Sequence, residues 1–170
     1  RRGRDMRFPM FVELEGRKAV VAGAGTIGTR RILALLEFGA RVTVISPEIS
    51  GKVRSLWEAG RLTCMLREAA QEDVRDAFLV VAATSDRQAN HQVALWCRSA
   101  GVFVNVADRK EECDFYFPGI AREGILTAGV CADGKSHGLA KAAAEEIRRL
   151  FVEKFRDPEV AKRGGDGNGR

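Results

Sequence analysis

Histidine and cysteine, the residues that most often bind structural metals, are scarce in this sequence. Of 170 residues only two are histidines and four are cysteines. The cysteines are far apart, form no CxxC pair and have no histidine pair nearby. This spacing predicts free thiols in a reducing cytoplasm and no metal site. The cysteines are Cys64, Cys97, Cys113 and Cys131.

Long apolar runs are also missing. Residues 78–83, one of the longest runs, are far too few to cross a bilayer, and the charged residues 1–5 lack the apolar core of a secretory signal. The net charge of +5 is modest, and no basic stripe with interleaved aromatic residues favours nucleic acid. We therefore predict a cytoplasmic protein that binds neither membrane nor nucleic acid, with a charge that suits an anionic small molecule.

A glycine-rich turn follows the first apolar strand. Residues 19–22 are apolar, and Gly23, Gly25 and Gly28 follow them in GxGxxG spacing. In dinucleotide-binding folds the first glycine permits a tight turn and the second lets a pyrophosphate approach the backbone. The third lets the helix pack closely on the strand.

The start of the next helix is the predicted phosphate site. Amides near Thr26 and Ile27 would face the phosphates, with the positive end of the helix dipole behind them. The pattern favours a dinucleotide, and a Rossmann variant that binds no nucleotide, or a methyl donor, is the alternative.

Strands and helices alternate through residues 6–112, which predicts an α/β fold: a Rossmann-like, doubly wound parallel sheet that binds NAD. The pattern then changes to two strands and a long helix, which cannot bury themselves well alone. Residues 113–155 are therefore predicted to be a small α+β segment that packs on the first domain, on a second copy of the chain, or on both. Residues 156–170 mix glycines and charges and are predicted to be disordered. The predicted strands are residues 19–22, 41–45, 62–66, 78–83, 102–106, 115–118 and 125–131, and the last helix is residues 136–155.

Ser46, Pro47 and Glu48 follow the second predicted strand. Ligands of open parallel sheets lie beyond the carboxyl ends of the strands, and a dinucleotide site usually has an acidic residue here to bind the adenosine ribose. Because no Arg or Lys follows immediately to receive a 2′-phosphate, NAD is favoured over NADP. The same three residues are also typical of a helix N-terminus.

The ends of the fourth and fifth strands supply further candidates. Thr84 or Asp86 is placed to contact the ribose or nicotinamide, and the alternative is that Ser85 or Asp86 only caps the next helix. Asn105 lies near the end of the fifth strand and is a further cofactor-binding candidate. Asp108, beside the predicted nicotinamide position, can act as a general base, although many strand-end aspartates are only turn residues.

A Gly-Lys-Ser step precedes the long helix. Its spacing from Gly129 does not fit a P-loop. Helix amides, Lys135 and the Ser136 hydroxyl can still hold an anion. The alternative is that Ser136 is an ordinary N-cap.

Together these segments resemble the N-terminal domain of the siroheme synthase family, from about residue 8 to residue 151. The most specific part is the Asn-Val-Ala-Asp strand end at residues 105–108 joined to residues 114–118. The other matching blocks are residues 8–11, 16–18, 22–28, 36–44, 82–90 and 134–136.

The resemblance implies a precorrin-2 dehydrogenase, which uses NAD to oxidise precorrin-2 to sirohydrochlorin. It implies that Asp108 is catalytic, that Thr26, Ile27, Pro47 and Glu48 contact the cofactor, and that the second segment forms an intertwined homodimer beside the tetrapyrrole cleft.

The implied substrate carries many carboxylates, and Lys135, Ser136 and Arg109 would orient them. Some family members also insert ferrous iron into sirohydrochlorin. His137 stands where the family usually has proline, and iron insertion is left open here. The alternative function is a non-catalytic NAD(H)-sensing Rossmann module, in which Asp108 is a turn residue.

Overall fold

The computed structural model describes residues 7–155, and the predicted tail at residues 156–170 lies outside the described residues. The described chain divides into two compact units. One is residues 12–115, and the other combines residues 7–11 with residues 116–155.

The first unit is built on a five-stranded parallel sheet in the order β3-β2-β1-β4-β5. The strand order reverses between β1 and β4, which is where ligands bind in doubly wound folds. This topology confirms the predicted Rossmann-like α/β class. The strands are β1 (Lys18–Ala22), β2 (Arg41–Ile45), β3 (Thr63–Met65), β4 (Leu79–Ala82) and β5 (Phe103–Val106).

Four helices connect these strands, and their ends are set by local sequence signals. Asp86 precedes the fourth helix, and its carboxylate accepts hydrogen bonds from the amides of Gln88 (2.7 Å) and Ala89 (3.3 Å), as predicted for a cap. Gly101 ends that helix in the left-handed conformation, with φ +67°. The helices are α1 (Thr26–Glu37), α2 (Gly51–Glu58), α3 (Gln71–Val74) and α4 (Arg87–Ala100).

One core cluster of this unit lies between the sheet and α4. Val20, Val80 and Val104 of neighbouring strands pack with Val93 and Cys97 of the helix, and all five are almost fully buried. Each buried valine contributes about 1.5–3 kcal/mol. Burial also raises the pKa of the Cys97 thiol to about 12. All four cysteines of the chain are free.

The second unit contains an antiparallel hairpin, β6 (Gly119–Glu123) and β7 (Leu126–Val130), and a long helix, α5 (His137–Phe155). Gly119 lets β6 approach α5 closely, because a Cβ there would lie 2.6 Å from the Ala140 carbonyl oxygen. Within residues 7–155, no helix is long and apolar enough to span a membrane.

The predicted strand at residues 115–118 is wrong, because the structure starts this strand at Gly119. The hairpin turn pairs Glu123 with Leu126, and counting back from the turn pairs residues 119–123 with β7. Residues before Pro118 have other bonds instead. The Asp114 carboxylate accepts from the Val104 amide (2.9 Å), and the Phe115 carbonyl accepts from the Asn105 side chain (2.9 Å).

Candidate active site

The glycine turn joins β1 to α1 at the carboxyl edge of the sheet. Gly23 has φ +97°, and a Cβ there would overlap the Ala83 carbonyl group. A Cβ on Gly28 would overlap the Gly23 carbonyl oxygen. These two glycines are therefore required by the packing of the turn itself. Gly25 is different, because nothing lies within 4 Å of the position its Cβ would take.

The N-terminus of α1 is open toward this turn. Gly25 is the N-cap residue of α1 and has no side chain that could accept a hydrogen bond. Within the described residues, the first amides of the helix therefore have no side-chain cap. Thr26 and Ile27 are exposed. Open space at Gly25 together with uncapped amides fits the pyrophosphate of a dinucleotide.

The loop after β2 holds the predicted ribose site. Ser46 is buried, its amide donates to the Met65 carbonyl (3.1 Å) and its hydroxyl donates to the Glu48 carbonyl (2.6 Å). The hydroxyl of Ser46 therefore shapes the loop. Pro47 and Glu48 are exposed, so the Glu48 carboxylate is the group of this loop that a ribose can reach.

The ends of β4 and β5 are joined through one buried side chain, Asn90 of α4. Its amide oxygen accepts from the Thr84 backbone amide (2.9 Å), and the Thr84 hydroxyl lies 2.8 Å from the same oxygen. Its amide nitrogen donates to the Thr84 carbonyl (3.1 Å) and to Oδ1 of Asp108 (3.2 Å). The structure therefore brings the candidates Thr84 and Asp108 together, with Asn90 between them.

A charged cluster lies beside Asp108. Arg87 Nε is 3.8 Å from Asp108 Oδ2, and the Arg87 guanidinium also pairs with Glu112. His91 Nδ1 is 3.2 Å from the same Glu112 oxygen. Burial acts to raise the pKa of Glu112, but hydrogen bonds with His91 and Arg87 outweigh it and lower the pKa from its usual value. Glu112 is thus held as a carboxylate that neutralises part of the Arg87 charge.

Asn105 is buried at the end of β5. Its side-chain nitrogen donates to the Phe115 carbonyl, whereas its side-chain oxygen has no hydrogen-bond partner within the described residues. A buried carbonyl without a donor is costly. This oxygen can therefore accept a hydrogen bond from a bound molecule.

The three predicted substrate-binding residues belong to two units. Arg109 is exposed next to Asp108 in the unit of residues 12–115. Lys135 and Ser136 belong to the other unit, where the Ser136 hydroxyl accepts from the Leu139 amide (3.2 Å) and caps α5. Substrate binding by these residues stays a prediction. Within residues 7–155, no group of three or more His, Cys, Asp or Glu side chains is arranged to hold a metal.

No motif in the sequence marks Asn90, Arg87 or Glu112 as a functional residue. A partial signal for Asn90 was present, because the cap at Asp86 fixes the start of α4 and places Asn90 one turn later, beside the strand ends. Nothing local indicates that Glu112 faces Arg87, which is 25 residues away in the chain.

A family model described as NAD(P)-binding matches residues 10–119. A multifunctional siroheme biosynthesis protein of Ruminiclostridium josui is 41% identical over 85% of this chain and 28% of its own length. A siroheme synthase of Photorhabdus laumondii is 34% identical over 85% of this chain and 31% of its own length. The chain therefore spans less than a third of these two relatives.

Among solved structures, that of SirC, a precorrin-2 dehydrogenase, is similar with a TM-score of 0.69 and 28% identity. The match covers 85% of this chain and 71% of that chain. The chain belongs to the NAD(P)-binding family whose model it matches, and the similarity to siroheme synthases and to SirC confirms its membership of the siroheme synthase N-terminal domain family.

Proposed function

We propose that this chain is an NAD-dependent precorrin-2 dehydrogenase, which removes a hydride and a proton from precorrin-2 to form sirohydrochlorin. The observation that carries the proposal is the Asp108 carboxylate, fixed at the carboxyl edge of the same sheet that holds the open glycine turn. The similarity to SirC, a precorrin-2 dehydrogenase, and to siroheme synthases supports the same reaction.

The glycine turn and the loop after β2 would hold the cofactor. Amides of Thr26 and Ile27 would donate to the pyrophosphate over the open side of Gly25. The Glu48 carboxylate would accept from the adenosine ribose hydroxyls and would repel a 2′-phosphate, which favours NAD. The unpaired oxygen of Asn105 would accept from a cofactor amide. When bound, NAD supplies the hydride acceptor.

Asp108 would take the proton that leaves as the macrocycle gains a double bond. Its side chain is 39% exposed, so a large substrate can reach it. Arg109, next to Asp108 in the chain, would pair with a carboxylate of precorrin-2 and orient it, and Lys135 and Ser136 stay candidates for binding substrate carboxylates. An aspartate with this task needs a fixed position, which the bond from Asn90 supplies.

We also propose that the chain works as a homodimer in the cytoplasm. Helix α5 exposes Leu139, Leu150 and Phe155, and large exposed apolar side chains grouped on one helix are typical of an interface. The four free thiols agree with a reducing compartment.

The test mixes the full chain with precorrin-2 and NAD under anaerobic conditions and follows NADH and the macrocycle spectrum. We expect sirohydrochlorin and NADH to form together. Asp108→Ala should slow turnover about 10²–10⁴-fold while NAD still binds, because a general base contributes on that order. Asp76→Ala, which removes an exposed carboxylate elsewhere, is the matched control and should keep full activity.

Normal turnover by Asp108→Ala would contradict the proposed base. Tight binding of NAD(H) without any binding of precorrin-2 would instead favour the NAD(H)-sensing module.

A further inference from the structure

We propose that Asn90 is a positioning residue for the dehydrogenation. Its side-chain amide holds the Asp108 carboxylate in the orientation in which the second carboxylate oxygen accepts the proton. This inference rests on the proposed function, since Asn90 has this task only if Asp108 is the base.

The orientation of the Asn90 amide is fixed by its partners. Asn90 is 1% exposed, so its polar atoms must find partners inside the protein. The Thr84 backbone amide, which can only donate, lies 2.9 Å from one amide atom of Asn90. That atom is therefore the oxygen, and the other is the nitrogen.

The amide nitrogen carries two protons, and the structure gives each of them an acceptor. One points to the Thr84 carbonyl oxygen (3.1 Å) and the other to Asp108 Oδ1 (3.2 Å). The amide cannot turn away from Asp108 without breaking its bonds to Thr84. The loop after β4 thus sets the position of a carboxylate at the end of β5.

The other carboxylate oxygen of Asp108, Oδ2, is left for the reaction. Its neighbour Arg87 Nε lies at 3.8 Å, too far for a hydrogen bond, and no hydrogen bond to Oδ2 is present among the described residues. Glu112 pairs with the same guanidinium, and His91 contacts the same oxygen of Glu112. Arg87 therefore does not form a bidentate salt bridge with Asp108, which would occupy both carboxylate oxygens of Asp108.

The test is a double-mutant cycle between Asn90 and Asp108, measured on the full chain with precorrin-2 and NAD. Asn90→Asp keeps an oxygen toward the Thr84 amide and replaces the donor to Asp108. We expect kcat to fall about 10–100-fold with KM and NAD affinity unchanged, because misplacing a reacting group costs on that order. In the Asp108→Ala background, Asn90→Asp should change kcat no further.

Asn90→Ser is measured in parallel, so that the result does not depend on the folding of one variant. Val93→Ala is the matched control on the same helix. Val93 is also 1% exposed but packs in the core, so its truncation should lower the Tm and leave kcat unchanged.

If Asn90→Asp lowers kcat equally in the wild-type and the Asp108→Ala backgrounds, the proposal is overturned. Equal losses would mean that Asn90 supports the fold and does not act through Asp108. Unchanged kcat in both Asn90 variants would overturn it as well. Normal turnover by the single variant Asp108→Ala is a different result. It would mean that Asp108 is not the base, and the proposed function would then fail together with the role of Asn90.

Discussion

The three glycines of the β1–α1 turn have the GxGxxG spacing but differ in what surrounds them. Gly23 and Gly28 leave no room for a Cβ against neighbouring backbone, whereas the space at Gly25 is open. Gly25 also has φ −71°, a backbone conformation that any residue adopts. A side chain at Gly25 therefore tests ligand binding without disturbing the fold.

We predict that Gly25→Ala folds normally and binds NAD at least about tenfold more weakly, a loss of about 1.4 kcal/mol. The added methyl group would lie where the pyrophosphate approaches the backbone. Titration calorimetry gives the affinity, and thermal unfolding gives the stability. Gly51→Ala is the control, because Gly51 also starts a helix in open space and lies outside the glycine turn. Wild-type affinity in Gly25→Ala would mean that the pyrophosphate binds elsewhere.

Single residues were predictable from the sequence where their signal is local. The glycine turn and the Asp86 cap depend on neighbours within a few positions, and the structure has both. The bond from Asn90 to Asp108 joins residues 18 apart on different elements. Such a bond depends on how the helix packs on the sheet, and no short pattern encodes it.

Among the secondary structure elements, the short helix α3 depends on one ion pair. Arg67, just after β3, donates to both carboxylate oxygens of Asp73 at 2.8 and 2.7 Å. Asp73 is almost buried and also accepts from the Ala70 amide (2.7 Å) at the start of α3. The hydrogen bonds from Arg67 lower the pKa of Asp73. One carboxylate thus caps the helix and holds it to the edge of the sheet.

We predict that Asp73→Asn lowers the free energy of unfolding by about 1.5–3 kcal/mol at neutral pH, since hydrogen bonds to charged groups are worth about that much. Because the folded pKa of Asp73 is below its unfolded value of about 3.9, the ionised group stabilises the protein above that pH. This stabilisation is lost as pH falls through the folded pKa.

Urea unfolding of both proteins at neutral pH and near pH 3 checks this, and the difference between them should shrink at the lower pH. Asp76→Asn, in the exposed turn that follows α3, should leave the stability almost unchanged. A difference that is the same at both pH values would exclude the ion pair as its source.

The elements of the parallel sheet were predictable because buried strands are short apolar runs between turn signals. The error at residues 115–118 has a different origin. Aromatic residues there favour a strand, but strand formation needs a partner, and the hairpin register gives that partner to residues 119–123 instead.

For the whole molecule, the proposed dimer gives the clearest prediction. We expect the full chain to sediment with twice its 18.6 kDa mass. Leu139→Glu should shift the equilibrium toward the monomer, because Leu139 is 65% exposed on α5 and a buried unpaired charge is costly. Leu33→Glu, at an exposed leucine of α1, is the control and should leave the mass unchanged. A monomer at all concentrations would contradict the proposal.

The sequence did not predict that residues 7–11 belong to the same unit as residues 116–155. Arg7 donates to the Tyr116 hydroxyl (2.6 Å) and lies 4.0 Å above its ring, although the two residues are 109 apart. Neither periodicity nor turn signals can predict a contact between residues so far apart in the chain.

The discontinuous make-up of this second unit has a consequence for biosynthesis. Chains leave the ribosome from their N-terminus, and domains generally fold in that order. Residues 12–115 can fold as soon as they have emerged, but Arg7 must wait for Tyr116, which is translated after all of them. Residues 7–11 are made before residues 12–115 but reach their native contacts after them, and until then they are open to chaperones and proteases.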